Sequence, residues 1–290
     1  MTSSRDVRIW FQKHTVVGRS PWLDDCYVRH ARAAVSESTQ VEFFGLPAET
    51  YQGRLPADYV RFGQLEVFFS WYFAERALEA ESSGYAAYVI GTSQDPGLAA
   101  ARSLVEIPVV GYGETTFGFL RSQGMRFGVI GFVPALEEIL RENLRQHGCA
   151  RLCAGFEYVP RPLVEAGLAD GDASALMPAI EEAATRLRSR GAQAIVPGEG
   201  IPNELLWSAG VREVGGLPFI DSDGLAMAVA ELHAATRERG MWSRAAPGYH
   251  TARAPADVVQ RLRGIFGPAV ASGMSDRTKL RCQRAATPPT

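Results

Sequence analysis

Twice along this chain the same pattern occurs: a short apolar strand, a turn of small residues with polar side chains, and a proline-marked helix start. The first copy is AAYVIGTSQDPGL, Ala86 to Leu98, and the second is AQAIVPGEGIPNELL, Ala192 to Leu206. Strand, tight turn and helix form the unit of a parallel sheet, and the unit delivers its turn residues to the sheet's open carboxyl end. Gly91, Thr92 and Ser93 in one turn, and Glu199 and Gly200 in the other, are therefore read as two halves of one site.

The remaining chain fits two copies of such a unit. Strands are expected at Val7 to Thr15, Val41 to Leu46, Ala86 to Ile90 and Ile107 to Gly111, with helices at Trp22 to Val35, Asp58 to Glu81, from Pro96 and from Gly111. At Arg126 the pattern restarts. Strands Phe127 to Phe132, Arg151 to Tyr158, Ala192 to Val196 and Gly216 to Asp221 alternate with helices Pro134 to His147, Ala175 to Arg190 and Asn203 to Ala209. A polar link through Asp172 precedes the second of these helices, and Gly224 to Arg239 forms the last long one.

The expected fold class is α/β, with two pseudo-symmetric lobes, each a parallel sheet flanked by helices, and the active site in the cleft between them. The lobes are assigned to residues 1–124 and 125–222, a helix at 223–240 returns to the first lobe, and 241–290 is a C-terminal extension. Within that extension Asp257 to Phe266 reads as a helix and Ser272 to Thr290 as a loose tail.

Composition excludes several functions. Lysine and arginine total 30 against 32 acidic residues, so no net field gathers a nucleic acid. No run approaches the roughly 18 apolar residues of a membrane span, and the N-terminus lacks an apolar signal core; a cytoplasmic chain is expected. Cys26, Cys149, Cys153 and Cys282 form no zinc-type pairs and read as ordinary thiols. No spacing of histidines and acids makes a metal-ligand set, and GYGETTF follows the fourth strand rather than the first, so neither metal nor cofactor is expected. Val60, Phe62, Leu65, Phe68, Phe69, Tyr72 and Phe73 recur at helical spacing. They predict a face packed on a sheet or a partner subunit, and hence a homo-oligomer.

Glu199 is the leading acid–base candidate, although a glutamate there could also satisfy the helix that follows. As a base near neutral pH it needs a pKa raised by burial from its usual ~4.3. His14, at the end of the first strand, is the second candidate, and strand alternation puts Gln12 on its side. Thr115 and Thr116, at a helix start, are candidate donors to a developing oxyanion, or simple caps. Asp95 reads as an N-terminal cap, while Asp221 and Asp223 either cap a helix or reach the site.

DPGLAAAR (Asp95 to Arg102), IPVVGYGE (Ile107 to Glu114), GAQAIVPGEG and GLPFIDSDGLAMAVAE resemble the aspartate/glutamate racemase superfamily, most closely its hydantoin and allantoin racemase branch. The likeness spans about residues 5–240. In that family each lobe contributes a cysteine, and the pair acts as acid and base on opposite faces of a carbon acid. Here the resemblance puts Glu199 at the second cysteine and Thr92 at the first. A second register matches Gly91-Thr92-Ser93 to the Gly-Thr-Ser of arylmalonate decarboxylases, where Thr92 and Ser93 would bind a carboxylate. Both registers leave the first lobe without its thiol.

The resemblance implies a cofactor-independent isomerase that moves a proton on a carbon next to a carbonyl or carboxylate of a small molecule. Glu199, Thr92 and His14 are its catalytic candidates, and Gln12, Gly91, Ser93, Thr115, Thr116 and Gly200 bind substrate. The alternatives are a decarboxylase, a hydrolase or hydratase with Glu199 as base, and a binding protein that has lost catalysis.

Overall fold

The computed structural model describes residues 7–266 and 279–281. The chain builds two parallel sheets flanked by helices. The first sheet contains β1 (Val7–Lys13), β2 (Thr39–Phe44), β3 (Ala87–Gly91) and β4 (Val109–Gly111), in the order β2-β1-β3-β4. Alternation sorts its side chains. Ile9 and Phe11 join a core that continues into the second lobe, whereas Trp10 points to the opposite face, among Phe73, Ala77 and Ala101.

Helices α1 (Pro21–Ala34), α2 (Gly63–Ser82), α3 (Leu98–Leu104) and α4 (Tyr112–Ser122) connect these strands. Because β2 lies on one side of β1 and β3 on the other, the chain reverses direction between β1 and β3, which opens a crevice at their carboxyl ends.

The second sheet is β6-β5-β7, built from β5 (Phe127–Gly131), β6 (Cys153–Tyr158) and β7 (Ala194–Pro197), with the corresponding reversal between β5 and β7. The helices α5 (Glu137–Gln146), α7 (Met177–Ser189) and α8 (Gly200–Ser208) match expectation within a few residues. The last long helix, α9 (Ser222–Glu238), packs on β1, β3, β4 and α4 of the first lobe.

Four expectations need correction. The polar link before Asp172 contains a further helix, α6 (Arg161–Asp170), which buries Val164 and Gly167 and ends at Gly171 with φ 82°. Glycine is required there, because a Cβ would lie 1.9 Å from the Trp22 ring.

The fourth strand of the second lobe shrinks to one bridge, Ile195 to Phe219. Gly215 and Gly216, at φ 55° and 73°, instead fold the chain into a hairpin of β8 (Glu213–Val214) and β9 (Leu217–Pro218). The long aromatic helix starts at Gly63 rather than Asp58, after a single 3₁₀ turn at Pro56–Asp58.

Finally, Lys279–Arg281 of the expected loose tail forms β10, antiparallel to β2, after α10 (Ala256–Phe266). The other tail residues, Cys282 among them, lie outside the described residues.

Candidate active site

Glu199 ends the loop after β7 and is half-buried. It does not cap its own helix. Its carboxylate crosses to the end of the neighbouring strand β5 and accepts the backbone N–H groups of Phe132 (3.2 Å to Oε2) and Val133 (3.2 Å to Oε1). A Cβ on Gly131 would approach its oxygens to 3.1 Å, so glycine at the end of β5 leaves them room. Burial pushes the Glu199 carboxyl up to about 8, against the lowering effect of the two amides. A carboxyl that gains and loses a proton near neutral pH is suited to proton transfer.

The facing wall comes from the ends of β1 and β3. Lys13, His14, Gly91 and Thr92 line the same pocket as Glu199, together with Tyr27, Gln94, Gly200 and Ile201. Gly91 is glycine for a physical reason: the Phe11 ring would lie 2.0 Å from any Cβ.

His14 donates from Nδ1 to the Tyr51 hydroxyl at 2.5 Å, because the one proton of that hydroxyl goes to the His14 carbonyl at 3.0 Å. This assignment leaves Nε2 as an acceptor. Burial holds the imidazole at about 4, so it is neutral at pH 7. Lys13 is fully buried; its Nζ lies 2.6 Å from Asp24 Oδ1 and 4.7 Å from the centre of the Tyr27 ring.

The roof is apolar. Leu55, Pro56, Ala57 and Val60 descend from the segment between β2 and α2, and Phe132, Val133 and Leu136 meet them from the second lobe. Arg161 of α6 holds this roof through both oxygens of Asp58, at 2.6 and 3.2 Å. The pocket volume is about 60 Å³, smaller than the roughly 300–1,000 Å³ of an ordinary ligand pocket.

A family model for Asp/Glu/hydantoin racemases matches residues 26–230. The chain belongs to that family. It is 28% identical over 153 residues to the hydantoin racemase of Rhizobium meliloti, a match that covers 53% of this chain and 62% of that protein. Allantoin racemase from Klebsiella pneumoniae has a similar fold, with a TM-score of 0.64 at 22% identity over 86% of this chain and 94% of that one. Allantoin racemase from Pseudomonas fluorescens follows with a TM-score of 0.62 at 18% identity over 86% and 98%.

In this racemase-family protein, His14, Gly91, Thr92, Glu199 and Gly200 converge on the pocket. Four expected residues do not. Gln12 lies on the Trp10 side of β1, accepts the indole N–H and donates to the carbonyls of Lys13, Phe44 and Gly45. The strand ends at Lys13, so alternation no longer relates Gln12 to His14. Ser93 is buried, and its hydroxyl accepts from Gln94.

Thr115 and Thr116 do not form an oxyanion cradle. The Thr116 hydroxyl donates to the Tyr112 carbonyl, and the first amides of α4, on Gly113 and Glu114, are taken by Asp95 at 3.0 and 2.7 Å. Asp95 is thus a cap, but for α4 rather than for its own helix. Cys26, Cys149 and Cys153 are not among the pocket residues.

Asp221 caps α9 through Gly224 and also holds His30 Nε2 at 2.8 Å, while Glu204 holds Nδ1 at 2.6 Å. Burial opposes charge on this imidazole, yet the two carboxylates raise it to about 10. Asp223 is fully buried behind Gly200 and does not line the pocket. Among the described residues no group of three or more histidines, cysteines or acids is placed to hold a metal ion, and no helix is long and apolar enough to cross a membrane.

Lys13, Tyr27 and the roof join the site without standing out in the sequence. Lys13 shares strand parity with the core residues Ile9 and Phe11, the one sequence signal that could have marked it as buried.

Proposed function

We propose that this protein is a cofactor-independent racemase or epimerase acting on a small carbon acid of the cyclic-ureide kind, as its hydantoin and allantoin racemase relatives do. The alignment to the Rhizobium meliloti relative spans 62% of that protein, so the substrate is part of the proposal. The observation that carries it is Glu199: a carboxyl shifted to about 8, pinned by two amides, in a small pocket lined from both halves of the chain. Glu199 takes the proton beside the carbonyl. The first amides of α8, at Gly200 and Ile201, favour the negative charge that develops. His14 Nε2 accepts a substrate N–H, and Thr92 lines the opposite wall.

The decarboxylase reading needs both hydroxyls of the first loop at the substrate, and the absence of Ser93 from the pocket lining counts against it. Proton NMR in deuterated water tests the proposal. Deuterium should enter hydantoin or allantoin without loss of carbon, and the exchange should disappear in Glu199→Gln. Carbon dioxide release from malonates with no hydantoin exchange would replace the racemase reading by the decarboxylase one.

Self-association through α2 belongs to the same proposal, supported by the exposure of Val67, Phe68 and Trp71 on that helix. Light scattering that found only 31.5 kDa particles would overturn it.

A further inference from the structure

Inverting a stereocentre through a planar enolate requires a proton to leave one face and another to arrive on the opposite face. The second lobe supplies one carrier, Glu199. Three titratable side chains line the pocket from the first lobe: Lys13, His14 and Tyr27. Two of them are unsuited to the task. His14 has Nδ1 committed to Tyr51 and carries no proton on Nε2 to give. Burial drives the Tyr27 hydroxyl well above its usual range, so it neither gains nor loses a proton near neutral pH.

Lys13 remains, and its placement is specific. In the parallel ladder it pairs with Gly91, so its Cα lies beside the loop that carries Thr92. Lys13 is the last residue of β1, the strand beside β3, as Glu199 follows β7, the strand beside β5. Its ammonium has three hydrogens, and one ion pair with Asp24 does not use them all.

We infer that Lys13 is the second proton carrier of this site, working on the substrate face opposite Glu199. The inference rests on the carbon-acid reading above. With one enantiomer bound, the Glu199 carboxylate takes the C–H proton and the bonding pair moves into the enolate. The enolate carbon then takes a proton from the Lys13 ammonium, whose N–H electron pair stays on nitrogen as the neutral amine. The resulting enzyme form, Glu199 protonated and Lys13 neutral, is the one that accepts the other enantiomer and runs the transfer in reverse. No other reactant is consumed.

Asp24 and Tyr27 from α1, Glu204 from α8 and Asp223 from α9 face this lysine. Burial lowers its pKa, and the carboxylates of Asp24, Glu204 and Asp223 limit the fall.

The test uses single enantiomers of an alkyl-substituted hydantoin and of allantoin in deuterated water, followed by NMR and optical rotation. Lys13→Arg keeps a charge beside Asp24 but does not release a proton, and Lys13→Met with Asp24→Asn removes the ion pair without stranding a carboxylate. Both variants are expected to lose interconversion by about 10²–10⁴-fold. Both should still exchange the proton of the one enantiomer that presents it to Glu199, with retention of configuration.

The wild type gives an independent reading. Early in the reaction, deuterium should enter the product enantiomer well before the remaining substrate; equal early incorporation into both would mean a single base serving both faces and would overturn the inference. Interconversion by the Lys13 variants within tenfold of wild type, with wild-type exchange intact, overturns the role of Lys13 alone. A wild type that exchanges no proton overturns the carbon-acid reading, and Lys13 with it.

Discussion

Asp95 in the loop after β3 and Glu199 in the loop after β7 are alike in almost every local respect. Each follows a strand, is raised by burial, to about 7 and about 8 respectively, and accepts two backbone N–H groups. They differ in what lies beyond the carboxylate. Asp95 sits against the start of α4, close to Gly111 and Gly113, and does not line the pocket that Glu199 lines. Glu199 has the pocket in front of it. A perturbed carboxyl is therefore no mark of catalysis on its own; open space beside it distinguishes an acid–base group from a cap.

The comparison is tested first by substitution. Glu199→Gln is expected to lower turnover by about 10²–10⁴-fold, roughly 3 to 5 kcal/mol of barrier, while ligand binding measured by calorimetry survives. In the wild type, kcat/KM in the direction that uses Glu199 as base should fall as pH drops through about 8, because protonation removes the base.

Asp95→Ala should show the opposite pattern. It strands two amides at the start of α4 and is expected to cost about 2 to 4 kcal/mol in urea unfolding, with turnover of the folded protein within tenfold. Equal losses of turnover in the two variants would break the distinction.

Stability sharpens it further. The Glu199 carboxyl holds its proton to about pH 8 when folded, but only to about 4.3 when unfolded. The folded state is thus favoured by protonation, and the penalty of the ionised carboxyl grows from about pH 4 and is complete above pH 8. Glu199→Gln is expected to be more stable than wild type by about 1 to 3 kcal/mol above pH 8 and equal to it below pH 4, read from thermal melts.

The smallest effect concerns the roof. The Asp58–Arg161 pair is partly exposed, so Asp58→Asn should cost no more than about 1 kcal/mol. By loosening the cover over Glu199 it should move the pH–rate midpoint down by less than about one unit. A midpoint that moved up would show that the roof does not produce the shift.

Much of the fold was legible because apolar strands bounded by glycine and proline have few alternatives, and the two loops were found from that pattern alone. The errors fall where distant partners decide. Helix α6 was hidden by its polar surface, and the Gly215–Gly216 turn converted an expected strand into a hairpin. Gln12, Ser93 and Thr116 carry the right chemistry for a site, but nearby backbone or side-chain groups already occupy them, and Thr115 is not among the pocket residues. Lys13 was missed because a lysine at a strand end is ordinarily solvated, and only the packing of α1 against β1 supplies Asp24.

The sequence by itself determined most of the order of strands and helices and the two strand-turn-helix loops, which follow from local periodicity, and its short motifs carried the resemblance to the family. Which carboxylate faces open space was decided only by the tertiary structure. The amides that Asp95 holds lie 18 and 19 residues away, and those that Glu199 holds lie 67 and 66 residues away. Local sequence cannot specify such contacts, because they form only when two strand ends are brought side by side.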